Sequence, residues 1–258
     1  MRYVITHGHI FKNAGTTFDY ALEKAFGKDF CDHRDDKAMR RGGAEYLKQF
    51  ILDNPKLKAI SSHHLCNPLP ESNQFKCIPI YFVRNPIERI VSVYDFERKQ
   101  KTGTIGAKMA AKLSLVDYVK WRSTSSVAKV IFDYQTAYIG RRRYLRPSET
   151  ANLEMFNNAV KRICDDHTLV GTVDKFEESF EYISEELKKH FPNIKFDYMK
   201  KNVNNQKSTD QKLLDALERL RPILANVING NAYDLALHRV ASQKLSRLIP
   251  KADYNSLS

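Results

Sequence analysis

Four short apolar runs rich in β-branched and aromatic residues, at positions 3–5, 59–61, 78–83 and 169–173, have the length of strands. Between the first two, Phe18, Ala21, Leu22, Ala25 and Phe26 recur at helical spacing, and Gly27 follows where a C-terminal cap belongs. A second helix is predicted over 44–52, closed by Asn54-Pro55. After the third strand Asn85 takes the N-cap, Pro86 the first helical position and Glu88 the third, which starts a helix running to about Lys99. The same periodicity predicts helices over 115–121, 152–164, 175–189, 210–220 and 233–248, while 103–112 and 198–208 read as loops. Near-continuous apolar strands alternating with helices point to an α/β protein whose parallel sheet is covered on both faces. Neither a repeat nor a linker divides the chain, so residues 1–258 are read as one domain.

Composition adds what the pattern does not. With 258 residues, 42% of them hydrophobic and 28% charged, the chain is neither collagen-like, low-complexity nor disordered. Its net charge of +12 draws anions to some part of the surface without naming one. Cys31, Cys66, Cys77 and Cys164 lack the paired spacing of a zinc or dithiol site and read as reduced, small buried hydrophobes. No apolar run approaches the ~18 residues of a membrane span, and polar residues interrupt the N-terminus early, so a cytoplasmic protein is expected.

The segment with most chemistry is His9-Ile10-Phe11-Lys12-Asn13-Ala14-Gly15-Thr16-Thr17, between the first strand and the first amphipathic helix. There Gly15 permits close backbone approach, the following N–H groups and hydroxyls lie at the positive end of a helix, and Lys12 adds a charge beside this anion cradle. Lys12 precedes Gly15 by three places, whereas nucleotide triphosphatases carry Lys directly after Gly, which argues against a kinase or ATPase. A second anion site is predicted where Arg84 ends a strand just before the capped helix, with the Ser92 hydroxyl one turn beyond Glu88. Two anion sites at neighbouring strand ends suit a ligand with two separated phosphate-like groups.

His-Ile-Phe-Lys-Asn-Ala-Gly-Thr-Thr followed by Arg-Asn-Pro-Ile-Glu-Arg-Ile-Val-Ser-Val-Tyr resembles the sulfotransferases that use 3′-phosphoadenosine 5′-phosphosulfate, and within them the branch that sulfates carbohydrates. Weaker likeness continues through Tyr134–Gly140, Leu169–Ser179 and Tyr233-Asp234-Leu235. The resemblance implies a P-loop-like three-layer sandwich with a central parallel sheet. It implies that Lys12, Asn13, Ala14, Gly15, Thr16 and Thr17 hold the 5′-phosphosulfate, that Arg84 and Ser92 hold the 3′-phosphate, and that no metal is needed. The acceptor it implies is a hydroxyl, in a saccharide that is neutral or anionic. Phe11 departs from the Pro of many members and loosens the loop's preset turn without removing a ligand group. The absence of a leader fits a bacterial cytoplasmic enzyme, since Golgi members carry a membrane anchor.

In-line sulfuryl transfer asks for charge stabilisation on the leaving phosphate, assigned to Lys12, and for a base titrating near neutral pH. His7, His9, His63 and His64 are candidates. His63 and His64 end the second predicted strand, similar enzymes carry a functional His in a comparable stretch, and adjacent strand residues point to opposite faces, so one of the two is expected to serve. Arg141, Arg142, Arg143 and Arg146 form the densest basic cluster, read either as a solvated face or as contact for an anionic acceptor. Gln135 either meets an acceptor hydroxyl or is buried. Trp121 reads as core, and Glu88 and Arg89 as helix-surface or capping residues. The competing readings are a basic nucleic-acid-binding protein, for which no motif is found, and a P-loop kinase or nucleotide hydrolase.

Overall fold

A computed structural model describes residues 1–65, 67–124, 126–146, 149–197 and 208–249. Five parallel strands, β1 (Arg2–Gly8), β2 (Phe30–Asp32), β3 (Ala59–Ser62), β4 (Phe75–Val83) and β5 (Leu169–Thr172), form one sheet in the order β2-β3-β1-β4-β5. The helices are α1 (Gly15–Phe26), α2 (Asp36–Asp53), α3 (Pro86–Lys99), α4 (Ile105–Lys112), α5 (Leu115–Arg122), α6 (Tyr134–Gly140), α7 (Leu153–Cys164), α8 (Phe176–Lys188), α9 (Thr209–Leu220), α10 (Leu224–Asn229) and α11 (Ala232–Leu248). The three-layer α/β architecture expected from the sequence is thus present.

Alternation along the strands sorts the core into two faces. Ile5, Ala59, Ile78, Ile80 and Phe82 pack with Phe18, Ala21 and Leu22 of α1 and with Phe180, Ile183 and Leu187 of α8. Tyr81, Val83 and Val170 pack on the opposite side with α6, α7 and α11, and Val4 and Ile60 with α2. The remaining helices, α3, α4, α5, α9 and α10, bury a cluster of their own that includes Ile90, Tyr94, Tyr118 and Leu220.

From β1 the chain passes through α1 to the β2 edge and returns to β3; from β4 it passes through α3 toward β5. Connections leaving β1 and β4 toward opposite edges open a crevice beyond their carboxyl ends, which is where ligands bind in open parallel sheets. The loop carrying Lys12 leaves β1 and Arg84 leaves β4, so topology brings both predicted anion sites to one crevice.

Several sequence expectations change. Segment 103–112, read as a loop, holds α4: Thr104 accepts from the Ala107 N–H as N-cap, and Ala107 and Ala110 are buried. Gly106 obscured this helix, yet a Cβ there would lie 2.5 Å from both the Arg122 guanidinium and the Glu97 carboxylate, so glycine lets α4 settle on that buried ion pair. Edge strand β2, three residues long, and helix α6 escaped the periodicity reading. Helix α2 starts eight residues before the predicted 44, capped by Asp35 and broken at Gly43, whose φ of 53° is left-handed. Cys164 is exposed and Cys31 and Cys77 only partly buried, correcting the reading of buried thiols. Cys66 and nearly all of the predicted 198–208 loop lie outside the described residues. Among the described residues no helix is long and apolar enough to cross a membrane.

Candidate active site

The loop between β1 and α1 is a tight, left-handed turn. Lys12 and Ala14 have φ of 66° and 61°, a region that costs a residue with a Cβ roughly 1–2 kcal/mol. That strain persists because the loop is clamped from three sides. The Asn13 amide donates to the Phe82 carbonyl at 2.7 Å and to Gln135 Oε1 at 2.6 Å. Arg89 Nε donates to the Phe11 carbonyl at 3.0 Å, and Arg84 Nη1 to the Lys12 carbonyl at 3.3 Å. The Phe11 ring, where a Pro would preset the turn, instead packs edge-on against Phe96, 5.5 Å between centroids. Lys12 Nζ lies 4.2 Å from the centroid of the same Phe96 ring.

This loop ends in the N-terminus of α1, which has no side-chain cap; its orphan N–H groups and positive dipole end face the crevice side of the sheet. Thr16 is exposed and Thr17 half-buried there, whereas the Asn13 side chain faces inward. Burial, then the charges of Arg84 and Lys99, push the Lys12 ammonium below its ordinary range, as expected of cations gathered around an anion site.

Arg84 is held by its backbone: Gln135 Oε1 accepts from its N–H at 2.8 Å, and Gln135 Nε2 donates to its carbonyl at 2.9 Å. Its guanidinium is loosely engaged, with Glu88 at 3.5 Å and the Lys12 carbonyl at 3.3 Å, and its buried Nε–H has no acceptor among the described residues. A half-buried guanidinium whose Nε–H is a buried orphan donor, beside a lysine and an uncapped helix end, fits a phosphate-like group, whose oxygens would satisfy it. Ser92, half-buried, stands one helical turn from Glu88 on α3 and so on the side of the helix that Arg84 uses.

The histidines form a second, contiguous array. Asp19 of α1 accepts from His7 Nδ1 at 2.7 Å and from His9 Nδ1 at 2.6 Å, and His7 Nδ1 also lies 3.0 Å from Ser61 Oγ. These contacts hold the Asp19 carboxyl far below the usual carboxylate range despite its burial. The His63 ring lies tilted against His9, 4.1 Å between centroids, and donates from Nδ1 to the His9 carbonyl at 2.8 Å, which leaves Nε2 as its lone-pair nitrogen. Burial above all, with the neighbouring His9 acting in the same direction, lowers the His63 pKa to about 4. His64 turns away and pairs with Asp36 at 3.0 Å. His7, His9 and Asp19 also bring metal-ligand atom types within 4.8 Å of one another. Their closest separations, 2.6 and 2.7 Å, are hydrogen-bond lengths, shorter than the ~3.3 Å between two ligands sharing a tetrahedral zinc.

Three residues have roles the sequence did not show. Arg89, read as a surface or capping residue, is fully buried, its guanidinium 4.6 Å from the Tyr134 ring centroid and its Nε on the donor loop. Gln135 is wholly buried and joins Asn13, Arg84 and Asp234 instead of facing an acceptor. In the basic cluster, Arg141 is buried against the Leu65 carbonyl at 3.3 Å and the Tyr138 ring, and Arg143 pairs with Glu149 at 2.6 Å, while Arg142 and Arg146 are exposed. Trp121 packs partly against the α3–α5–α9 cluster, as read.

The structure is thus an open parallel α/β sheet whose switch-point crevice gathers a lysine loop, an uncapped helix end and a half-buried arginine, groups whose charge and donors suit an anionic ligand. Comparison with known proteins makes that reading specific: the sulfotransferase family model matches residues 1–234, and the chain belongs to that family. The chain is also 30% identical over 243 residues to an uncharacterized protein of Archaeoglobus fulgidus, covering 90% of this chain and 89% of the relative.

Proposed function

We propose that the protein transfers a sulfuryl group from 3′-phosphoadenosine 5′-phosphosulfate to a hydroxyl of a carbohydrate or glycan-like acceptor. The observation that supports the donor assignment is the bond from Arg84 Nη1 to the Lys12 backbone carbonyl at 3.3 Å, which brings both residues to one crevice, within reach of a single adenosine carrying 5′- and 3′-phosphate groups. In this reading Lys12, the backbone from Asn13 to Thr17 and the Thr16 and Thr17 hydroxyls surround the 5′-phosphosulfate, and Arg84 with Ser92 the 3′-phosphate. The Asn13 side chain works from behind, fixing the loop to β4 and Gln135.

His63 is the better of the two adjacent base candidates. Its Nδ1–H is committed to the His9 carbonyl, it is neutral at pH 7, and its Nε2 is left to take a proton, whereas His64 is tied to Asp36. The acceptor O–H proton passes to His63 Nε2 as the acceptor oxygen bonds to sulfur. The bond from sulfur to the phosphate oxygen breaks, and Lys12 stabilises the charge on the departing phosphate. An anionic acceptor would meet Arg142 and Arg146, the exposed arginines that flank Tyr144 next to His64.

The direct test incubates the protein with sulfur-labelled donor and a panel of neutral glycans, acidic glycans, lipids and small alcohols. Label on a saccharide supports the full reading; label on a lipid or simple alcohol only overturns the acceptor class, and no transfer from a donor that binds overturns the reaction.

A further inference from the structure

We propose that Asp19 is a positioning residue for the transfer, acting through His9 on His63; the inference rests on the reading of His63 as the base. A carboxylate can only accept, so both imidazoles that reach it at 2.6 and 2.7 Å must carry their proton on Nδ1. That is the less common tautomer of a free imidazole, and one carboxylate fixes it twice. Held this way, His9 presents an edge to the first turn of α1 and a face to His63.

Both contacts are tight. A Cβ at position 15 would lie 2.3 Å from His9 Cδ2 and 2.5 Å from Nε2, so the ring occupies space that only glycine leaves. On its other side the ring lies 4.1 Å from His63, tilted 47°, while the His9 carbonyl takes the His63 Nδ1–H at 2.8 Å. Asp19 stands one turn along α1 from Gly15, so the helix whose N-terminus borders the lysine loop also carries the group that orients the histidine behind His63. Ser61, on β3 beside His7, closes the array at 3.0 Å. The lysine loop and the base are thereby referred to one rigid element, which is what an in-line geometry requires.

Asp19→Asn keeps the size and removes one acceptor. The amide oxygen can serve one Nδ1–H, and its NH2 confronts the other, which must give up that proton and donate from Nε2 instead. A misplacement of about 1 Å passed to the reacting groups from a residue outside the chemistry can cost ~100-fold in rate, and a smaller shift correspondingly less. Asp19→Glu keeps a carboxylate but alters the size, so a positioning role ranks Glu above Asn in turnover, while a packing role ranks the near-isosteric Asn above Glu.

The experiment records side-chain nitrogen-15 spectra of histidine-labelled wild type and variants at pH 8, together with release of adenosine 3′,5′-bisphosphate from the phosphosulfate donor per folded molecule. Expected are Nδ1-protonated His7 and His9 in the wild type, loss of that proton from one of them in Asp19→Asn, turnover down 10–100-fold, and Asp19→Glu between the two. An unprotonated Nδ1 on either histidine of the wild type overturns the proposal even if Asp19→Asn does not fold. Turnover of Asp19→Asn within twofold of wild type, or above that of Asp19→Glu, overturns it as well. A wild type that neither binds adenosine 3′,5′-bisphosphate nor consumes the donor defeats the sulfuryl-transfer reading and the proposal with it, and the absent binding identifies that cause.

Discussion

Replacing Gln135 with Leu removes a side chain that joins the two halves of the donor crevice. Its amide makes four bonds at zero exposure: it accepts from Asn13 Nδ2 at 2.6 Å and the Arg84 N–H at 2.8 Å, and donates to the Arg84 carbonyl at 2.9 Å and to Asp234 Oδ2 at 3.2 Å. Asn13 keeps the Phe82 carbonyl for one of its two amide hydrogens and Asp234 keeps backbone N–H partners from Gln135 and Thr136, so the groups deprived are the other Asn13 N–H and the part-buried N–H and C=O of Arg84. At ~1–3 kcal/mol for each stranded group, set against the burial of the Leu side chain, the net loss is about 2–4 kcal/mol. For a chain of this size that is a melting temperature ~5–15 °C lower. Because Arg84 and Asn13 loosen together, affinity for adenosine 3′,5′-bisphosphate should fall about tenfold or more, which is ~1.4 kcal/mol. Thermal denaturation and calorimetric titration on the same preparation give both numbers. A melting temperature within 2 °C of wild type with unchanged affinity would refute the network's role.

Other expectations follow from the same geometry. His63→Ala should lower turnover ~10²–10⁴-fold with donor affinity intact, and His64→Ala by much less; the reverse ranking in steady-state rates exchanges their roles. Lys12→Ala should lower turnover ~10²–10³-fold, the scale of removing one group that stabilises developing charge, and an unaffected rate would move the leaving-group role elsewhere. The Asp133 carboxyl, raised to about 7 by burial and then by Asp234, keeps its proton in the fold, where an unfolded carboxyl of ordinary value 3.8 has lost it. The native state therefore binds more protons between pH 4 and 7, and wild-type stability falls as pH rises through that window. Asp133→Asn, which retains the oxygen that accepts from the Asp234 N–H, should gain on wild type in urea denaturation from pH 4 to pH 8; a constant difference contradicts the shift. His63, lowered to about 4 from 6.5, works in the opposite sense: its contribution is full above pH 6.5 and is lost as pH falls toward 4, and His63→Ala should lack that acid-side loss.

Much of the fold was legible because its strands are short apolar runs and most of its helices carry an apolar face with a recognisable cap. Asn85 caps α3 through the Ile87 N–H, with Pro86 in its first turn, as the residue types require. Helix α4 was hidden by Gly106, whose reason is a tertiary contact with Glu97 and Arg122 that no local rule contains. The lysine loop and Arg84 could be placed on one edge from strand ends alone. What holds them could not, because Gln135 and Asp234 reach the crevice from α6 and α11, far away in the chain. Arg89 looked like a helix-surface charge since nothing in sequence shows that its neighbour across the turn is the Phe11 carbonyl. Choosing between His63 and His64 likewise required the His9 carbonyl on one side and Asp36 on the other.

The central claim is that one crevice holds both phosphate ends of a single adenosine derivative. Isothermal titration with adenosine 3′,5′-bisphosphate, adenosine 5′-phosphate and ATP, repeated on Arg84→Ala, tests it directly. The account predicts tight binding of the bisphosphate, at least tenfold weaker binding of the other two, and loss of the preference for the 3′-phosphate in the variant. Equal affinity for the bisphosphate and the 5′-phosphate, or a preference untouched by Arg84→Ala, would contradict it.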